Sequence, residues 1–137
     1  MNTNSYYLIE LPCHDDKRGK MCVVESMTTI PFMINRIFYD YENRNSFDNR
    51  GNHANKNSSF VFVCVNGMCK IKLNDGSYEE VFEMNSPKKA LFVNRMVWKE
   101  MYDFSDDSIL LVISDCKYDP NEYIRDYDEF IRIKREE

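Results

Sequence analysis

Histidine is almost absent from this sequence. His14 and His53 are the only two in 137 residues, which excludes any site built on three imidazoles. No apolar run approaches the roughly 20 residues of a membrane helix, and no charged-then-apolar leader opens the chain, so neither export nor membrane crossing is expected. Glycine and proline are scarce, four of each, while 14% of the residues are aromatic. Collagen-like and disordered classes are thereby set aside. A basic stripe is missing too. Residues 1–70 carry eight Lys/Arg against seven Asp/Glu and residues 71–137 carry ten against sixteen, for a formal charge of −5. Such a balance does not neutralise a run of phosphates, so nucleic acid is not an expected partner. One phosphorylated small molecule needs only a few arginines, and the first half supplies them.

The five cysteines, Cys13, Cys22, Cys64, Cys69 and Cys116, are odd in number and contain no CxxC pair. Three lie in apolar, strand-like runs, where cysteine behaves as a small hydrophobe. They read as reduced and mostly buried, which implies a cytoplasmic protein.

What is present is a series of short apolar or alternating runs with turn residues between them. "KMCVVE" is followed by "MINRIFYDY" after Pro31. "SFVFVCV" and "MCKIKL" flank Asn66-Gly67, a dipeptide suited to a type I′ hairpin. "NDG" at Asn74–Gly76 leads into "SYEEVFEM", and "ALFV", "MVWKEMYDF" and "SILLVIS" follow. Many short strands without intervening helices predict an all-β sandwich or barrel, in one domain spanning residues 1–137. After Asp119-Pro120, a plausible cap and first helical position, Tyr123, Ile124, Tyr127, Phe130 and Ile131 fall at helical spacing. One or two short helices packed on the outside of the barrel are expected there.

The stretch "RGNHANK", Arg50 to Lys56, carries the chemistry. On a strand, His53 and Asn55 share one face and Ala54 takes the other. Arg50 and Lys56 can hold an anion nearby, and the Arg50 guanidinium offers a fork of donors to phosphate. Cupin-type barrels often bind metal through His-x-His, a carboxylate a few residues on and a later histidine. Here Asn55 takes the second position, residues 57–60 read "NSSF", and no later histidine exists. The ligand set for a divalent ion is therefore missing. His53 remains either a general base or a hydrogen-bonded residue of a strand-entry loop.

Seven stretches in order make the chain resemble the cupin family of dTDP-4-keto-6-deoxyglucose 3,4-ketoisomerases, from about residue 15 to residue 130. They are "DKRG" (Asp16–Gly19), "IPFMINRIFY" (Ile30–Tyr39), "RGNHANK", "VCVNG" (Val63–Gly67), "NSP" (Asn85–Pro87), "VWKEMYDFS" (Val97–Ser105) and "YIRDYDEF" (Tyr123–Phe130). The resemblance implies a double-stranded β-helix, a jelly-roll barrel with short C-terminal helices. It implies a homodimer with exchanged N-terminal strands. It also implies metal-free and cofactor-free movement of a ketone from C4 to C3 of a dTDP-linked 6-deoxyhexose, in deoxyamino-sugar synthesis for surface glycans. By that resemblance His53 is the base and Tyr39 a donor to the developing oxyanion. Arg50 and Arg36 serve the diphosphate or sugar oxygens, and Arg18 reaches the nucleotide across the dimer. Lys56 and Lys99 join the substrate-binding set, Trp98 packs the barrel, and Tyr123, Tyr127 and Phe130 pack helix to barrel.

The family stretch usually reads "RGxHAHK", and the residue after its tryptophan is commonly histidine. Here those positions are Asn55 and Lys99. An amide can hold an oxyanion but cannot carry a proton near neutral pH. Three outcomes follow: His53 acts alone with Asn55 holding the enediolate, Tyr39 or Lys99 takes the second role, or the protein binds without turnover. An epimerase of a similar keto sugar is a further alternative.

Overall fold

The computed structural model describes residues 5–44 and 49–137. It has the expected architecture: two five-stranded antiparallel sheets face each other, with one helix at the C-terminal end. The strands are β1 (Tyr6–Glu10), β2 (Cys13–Asp16), β3 (Gly19–Cys22), β4 (Arg36–Asp40), β5 (Arg50–Asn55), β6 (Phe60–Asn66), β7 (Cys69–Asn74), β8 (Glu79–Met84), β9 (Lys89–Val93), β10 (Trp98–Tyr102), β11 (Ile109–Ser114) and β12 (Tyr123–Ile124), followed by α1 (Tyr127–Glu136). One sheet runs β1-β9-β6-β11-β4 and the other β12-β5-β10-β7-β8, while β2 and β3 form a separate hairpin. Among the described residues no helix is long and apolar enough to cross a membrane.

The sequence of β6 explains its place. Phe60, Phe62 and Cys64 point into the core between the sheets, beside Ile71, Leu73 and Met101. Val61 and Val63 point to the opposite face and are covered by Ile30 and Phe32. A strand buried on both faces needs a continuous apolar run. Strand β7 is one-sided instead, burying Cys69, Ile71 and Leu73 and leaving Lys70 and Lys72 half-exposed. A third cluster, Ala54, Met96, Trp98 and Ile124, is closed by Phe130 of α1.

Three sequence expectations need correction. Asn66-Gly67 does not make a hairpin, because β6 and β7 belong to different sheets. Only Gly67 of the pair has positive φ, +69°, whereas a type I′ turn needs both. The glycine turns the chain from one sheet to the other. Its missing side chain leaves room for Asp107 and Ser108. The "NDG" turn does close a hairpin, joining β7 to β8 with Asn74 opposite Glu79.

The cysteines are not all reduced. Cys13 and Cys22 are opposite each other across the β2–β3 hairpin and form a disulfide, while Cys64, Cys69 and Cys116 are free. Nine residues of separation hid a directly paired position. At the C-terminal end, Asp119 caps only a 3-10 turn, Pro120–Glu122, accepting from Asn121 N. Tyr123 and Ile124 then leave helical geometry and pair with Asn55 and Ala54 of β5. The helix starts later, with Asp126 accepting from Asp128 N at 2.9 Å. It carries acidic residues in its first turn and basic ones in its last, which suits the helix dipole.

Candidate active site

The candidate site is a cavity of about 190 Å³ in the barrel mouth. Its floor is apolar, with Phe38, Phe60, Phe62 and Val112, and its polar wall comes from Arg36, Asp40, Arg50, His53, Lys99 and Tyr123. Pockets for whole drug-sized ligands measure roughly 300–1,000 Å³, so this volume suits one sugar ring, with any attached nucleotide lying outside.

Strand β5 delivers His53 to the cavity because the alternation predicted for "HAN" holds. Ala54 is fully buried under α1, on the other face of the strand from His53. His53 Nδ1 lies 3.0 Å from the Gly51 carbonyl oxygen. A carbonyl only accepts, so Nδ1 carries the hydrogen and Nε2 is left with the lone pair of a base. The ring packs edge-on to Tyr123, with centroids 4.8 Å apart. Burial first, then the positive charge of Lys99, push the His53 pKa from 6.5 down to about 3. Arg125 and Arg36 push the same way, and the bond to Gly51 opposes them. His53 is therefore neutral throughout the physiological range, as a proton acceptor must be.

Gly51 makes this geometry possible. Its φ is +85°, and a Cβ there would lie 2.8 Å from the Lys99 carbonyl oxygen. The register between β5 and β10 shifts at that point, between Lys99 and Glu100. Lys99 is the register partner of His53 and is almost wholly buried. Its Nζ donates to Asn55 Oδ1 at 2.8 Å and to the Val97 carbonyl at 3.4 Å. It also sits 4.9 Å from the Phe60 ring centroid. Burial lowers the Lys99 pKa to about 7, against a smaller upward pull from Glu122.

Two arginines reach the mouth. Arg36 Nη1 donates to the Tyr123 hydroxyl at 3.2 Å, and the guanidinium lies over Phe38 and Tyr118. Arg50 is held by Asn43 Oδ1 at 3.1 Å and Asp40 Oδ1 at 3.2 Å. Asp40 is itself pushed up by burial, with Arg50 pulling it back.

The structure thus brings His53, Lys99, Arg36 and Arg50 to the cavity, while Asn55 is buried outside its lining, bonded to Lys99 Nζ. It does not bring Tyr39, Lys56 or Arg18 to the cavity within this chain. Tyr39 alternates with the inward Phe38 and Asp40 and is 61% exposed. Lys56 follows the last residue of β5 and is exposed, its carbonyl accepting from Arg95 Nε. Arg18 sits at the tip of the β2–β3 hairpin, paired with Asp16 at 2.6 Å.

Sequence reading missed two residues. Tyr123 was assigned to helix packing, yet it supplies a hydroxyl to the cavity wall. Glu122 was not singled out. Its carboxylate accepts from Asn57 N, Ser58 N and Ser58 Oγ, pinning the turn behind β5. Both lie just after Pro120, and their signal was the change from turn to extended backbone that the helical spacing obscured. Among the described residues no three His, Cys, Asp or Glu side chains gather as a metal-ligand set.

Comparison with known proteins bears directly on this geometry. Residues 4–135 match the family described as "FdtA: WxcM-like, C-terminal". The TDP-4-oxo-6-deoxy-alpha-D-glucose-3,4-oxoisomerase of Aneurinibacillus thermoaerophilus is 39% identical over 115 residues, covering 84% of this chain and 82% of that protein. A 3,4-ketoisomerase from Helicobacter canadensis superposes with a TM-score of 0.91 at 39% identity, covering 95% of this chain and 97% of that one. A mutant of the 3,4-ketoisomerase QdtA from Thermoanaerobacterium thermosaccharolyticum, in complex with TDP-4-keto-6-deoxyglucose, superposes with a TM-score of 0.92 at 33% identity, covering 96% and 95%.

Proposed function

Because the chain belongs to the FdtA family of WxcM-like, C-terminal proteins, we propose that the cavity around His53 is where it isomerises a sugar nucleotide. The protein is a sugar 3,4-ketoisomerase, moving the ketone of TDP-4-keto-6-deoxyglucose from C4 to C3. One observation carries the assignment of the base: His53 faces the cavity with Nδ1 held by the Gly51 carbonyl.

The C3 hydrogen is acidified by the neighbouring C4 ketone. His53 removes it, and the electrons move onto the C4 oxygen to give an enediol. Arg36, Tyr123 and Lys99 line the cavity and are the donors available to that oxygen, and donors preorganised in a water-poor site stabilise such charge strongly. Reprotonation at C4 and loss of the O3 proton then leave the ketone at C3. Arg50 at the rim serves the diphosphate, its fork already set by Asn43 and Asp40.

Further parts of the reading concern assembly and setting. Arg18 extends from an exposed hairpin away from its own cavity, so it serves the nucleotide bound by a second copy in a homodimer. Exposed Ile37 and Tyr39 on edge strand β4, with Tyr41 just after it, offer apolar surface for such a partner. The cytoplasm is the proposed location, supported by three free cysteines, with the Cys13–Cys22 pair on an exposed hairpin open to reductant. The product feeds deoxyamino-sugar synthesis for surface glycans.

The test is proton NMR of TDP-4-keto-6-deoxyglucose with the protein in deuterated buffer, beside His53→Asn. A 3-keto product, lost in the variant while TDP still raises its melting temperature, is expected. Full turnover by His53→Asn would remove His53 from the role.

A further inference from the structure

Lys99 is the only fully buried lysine among the described residues. Among the described residues no carboxylate lies within ion-pair distance of it, and the acid that acts on it, Glu122, is already occupied by Asn57 and Ser58. Its Nζ has one side-chain acceptor, Asn55 Oδ1. The Nδ2 of the same amide is buried without a partner. An amide can match both states of an amine: the oxygen accepts from the ammonium, and after a half-turn Nδ2 donates to the lone pair of the neutral form. Lys99 also stands directly across the β5–β10 pair from His53, so both groups face one bound ring.

The reaction needs two proton movements, one between carbons and one between oxygens. Building on the isomerase reading above, we propose that Lys99 is the second proton-transfer group, carrying the proton between the C4 and C3 oxygens while His53 carries the one between the carbons, with Asn55 positioning the amine. The steps balance. Neutral His53 takes the hydrogen from C3 as the Lys99 ammonium gives one to the C4 oxygen, leaving an enediol, an imidazolium and a neutral amine. The amine then takes the O3 proton while the imidazolium returns its proton to C4. Ketone and hydroxyl have exchanged places, and both side chains are as they began.

The pairing also handles charge. Like charges directly opposite on neighbouring strands repel, and in this sequence His53 becomes positive only as Lys99 becomes neutral. The other charged groups facing the amine are Arg36 and Asp40 from β4, Arg50 and His53 from β5 and Glu122 from the turn before β12. Strands β6 and β7 present uncharged Phe60 and Leu73. The two arginines and two carboxylates balance while His53 is neutral, so it is burial, opposed by Glu122, that favours release of the ammonium proton near neutral pH.

The experiment compares wild type, Lys99→Arg, Lys99→Met and Asn55→Ala, measuring turnover from pH 5.5 to 9.5 with TDP-dependent melting as the binding control. Wild-type kcat should fall as pH rises through about 7, where the Lys99 amine loses its proton. Both lysine variants should lose about 10²- to 10⁴-fold in kcat, keep TDP binding, and show no such falling limb in what remains. Asn55→Ala should lower kcat with KM little changed. Turnover within tenfold of wild type in either lysine variant, or the same limb persisting without the lysine, overturns the proposal. Loss of TDP binding in both lysine variants overturns it equally, by assigning Lys99 a packing role. A wild type that makes no 3-keto sugar at all defeats the isomerase reading first.

Discussion

His53 and Lys99 are register partners on β5 and β10, and the positive charge of Lys99 lowers the affinity of His53 for a proton. Burial is the larger cause in both residues. The two strands thereby place a neutral imidazole and an ammonium that gives up its proton easily against one small cavity.

The first prediction concerns acid stability. Burial holds the His53 pKa at about 3 in the folded protein, against an ordinary value of 6.5 in the unfolded chain. Between those values the unfolded chain binds the proton and the folded one does not, so the contribution is fully present above 6.5 and is lost as pH falls toward 3. His53→Asn removes that dependence. Its melting temperature should gain on wild type steadily from pH 7 to pH 4, whereas parallel curves would show that the imidazole is not held neutral.

Gly51 gives a second. Alanine at φ +85° brings its Cβ to 2.8 Å from the Lys99 carbonyl and 3.1 Å from Met101 Sδ. Backbone atoms cannot turn aside as a flexible side chain can, so β5 must move off β10. Gly51→Ala should destabilise by about 1–3 kcal/mol, seen as a lower denaturation midpoint, and should cut turnover because the His53–Lys99 spacing changes with it. Unaltered stability would mean that the strands tolerate the shift.

Tyr123 gives a third. Its ring orients His53 and its hydroxyl accepts from Arg36, which leaves the phenolic hydrogen free for a ligand oxygen. Tyr123→Phe keeps the ring and removes that donor. Turnover should fall about 10- to 10³-fold, by analogy with loss of one oxyanion donor, while the melting temperature stays close to wild type. A variant with unchanged kcat would confine Tyr123 to packing.

Much of this was legible in the residues themselves. Period-two alternation put His53 on the opposite face from Ala54, as strand geometry dictates, but of His53 and Asn55 only His53 lines the cavity. The apolar run of β6 and the "NDG" turn likewise behaved as local chemistry dictates. The failures share a cause, which is that they depend on pairing partners distant in sequence. Asn66-Gly67 has the composition of a hairpin but joins strands of different sheets. Cys13 and Cys22 are paired by strand register, which no spacing rule discloses. Tyr39 and Tyr123 exchanged expected places, since the facing of β4 and the existence of β12 are decided by their neighbours. The resemblance supplied the chemistry, and the structure alone showed that Lys99 and Asn55 form a pair.

The late position of β12 has a consequence for how the enzyme is made. Asn55 and Ala54 are paired by residues that lie about 70 positions further along the chain. At translation rates of ~5–20 residues per second, roughly 3–14 s separate their syntheses. Throughout that interval β5 has one edge without its neighbour, and the wall that seats His53 is unfinished. A nascent chain therefore completes the wall behind His53 only once β12 has left the ribosome.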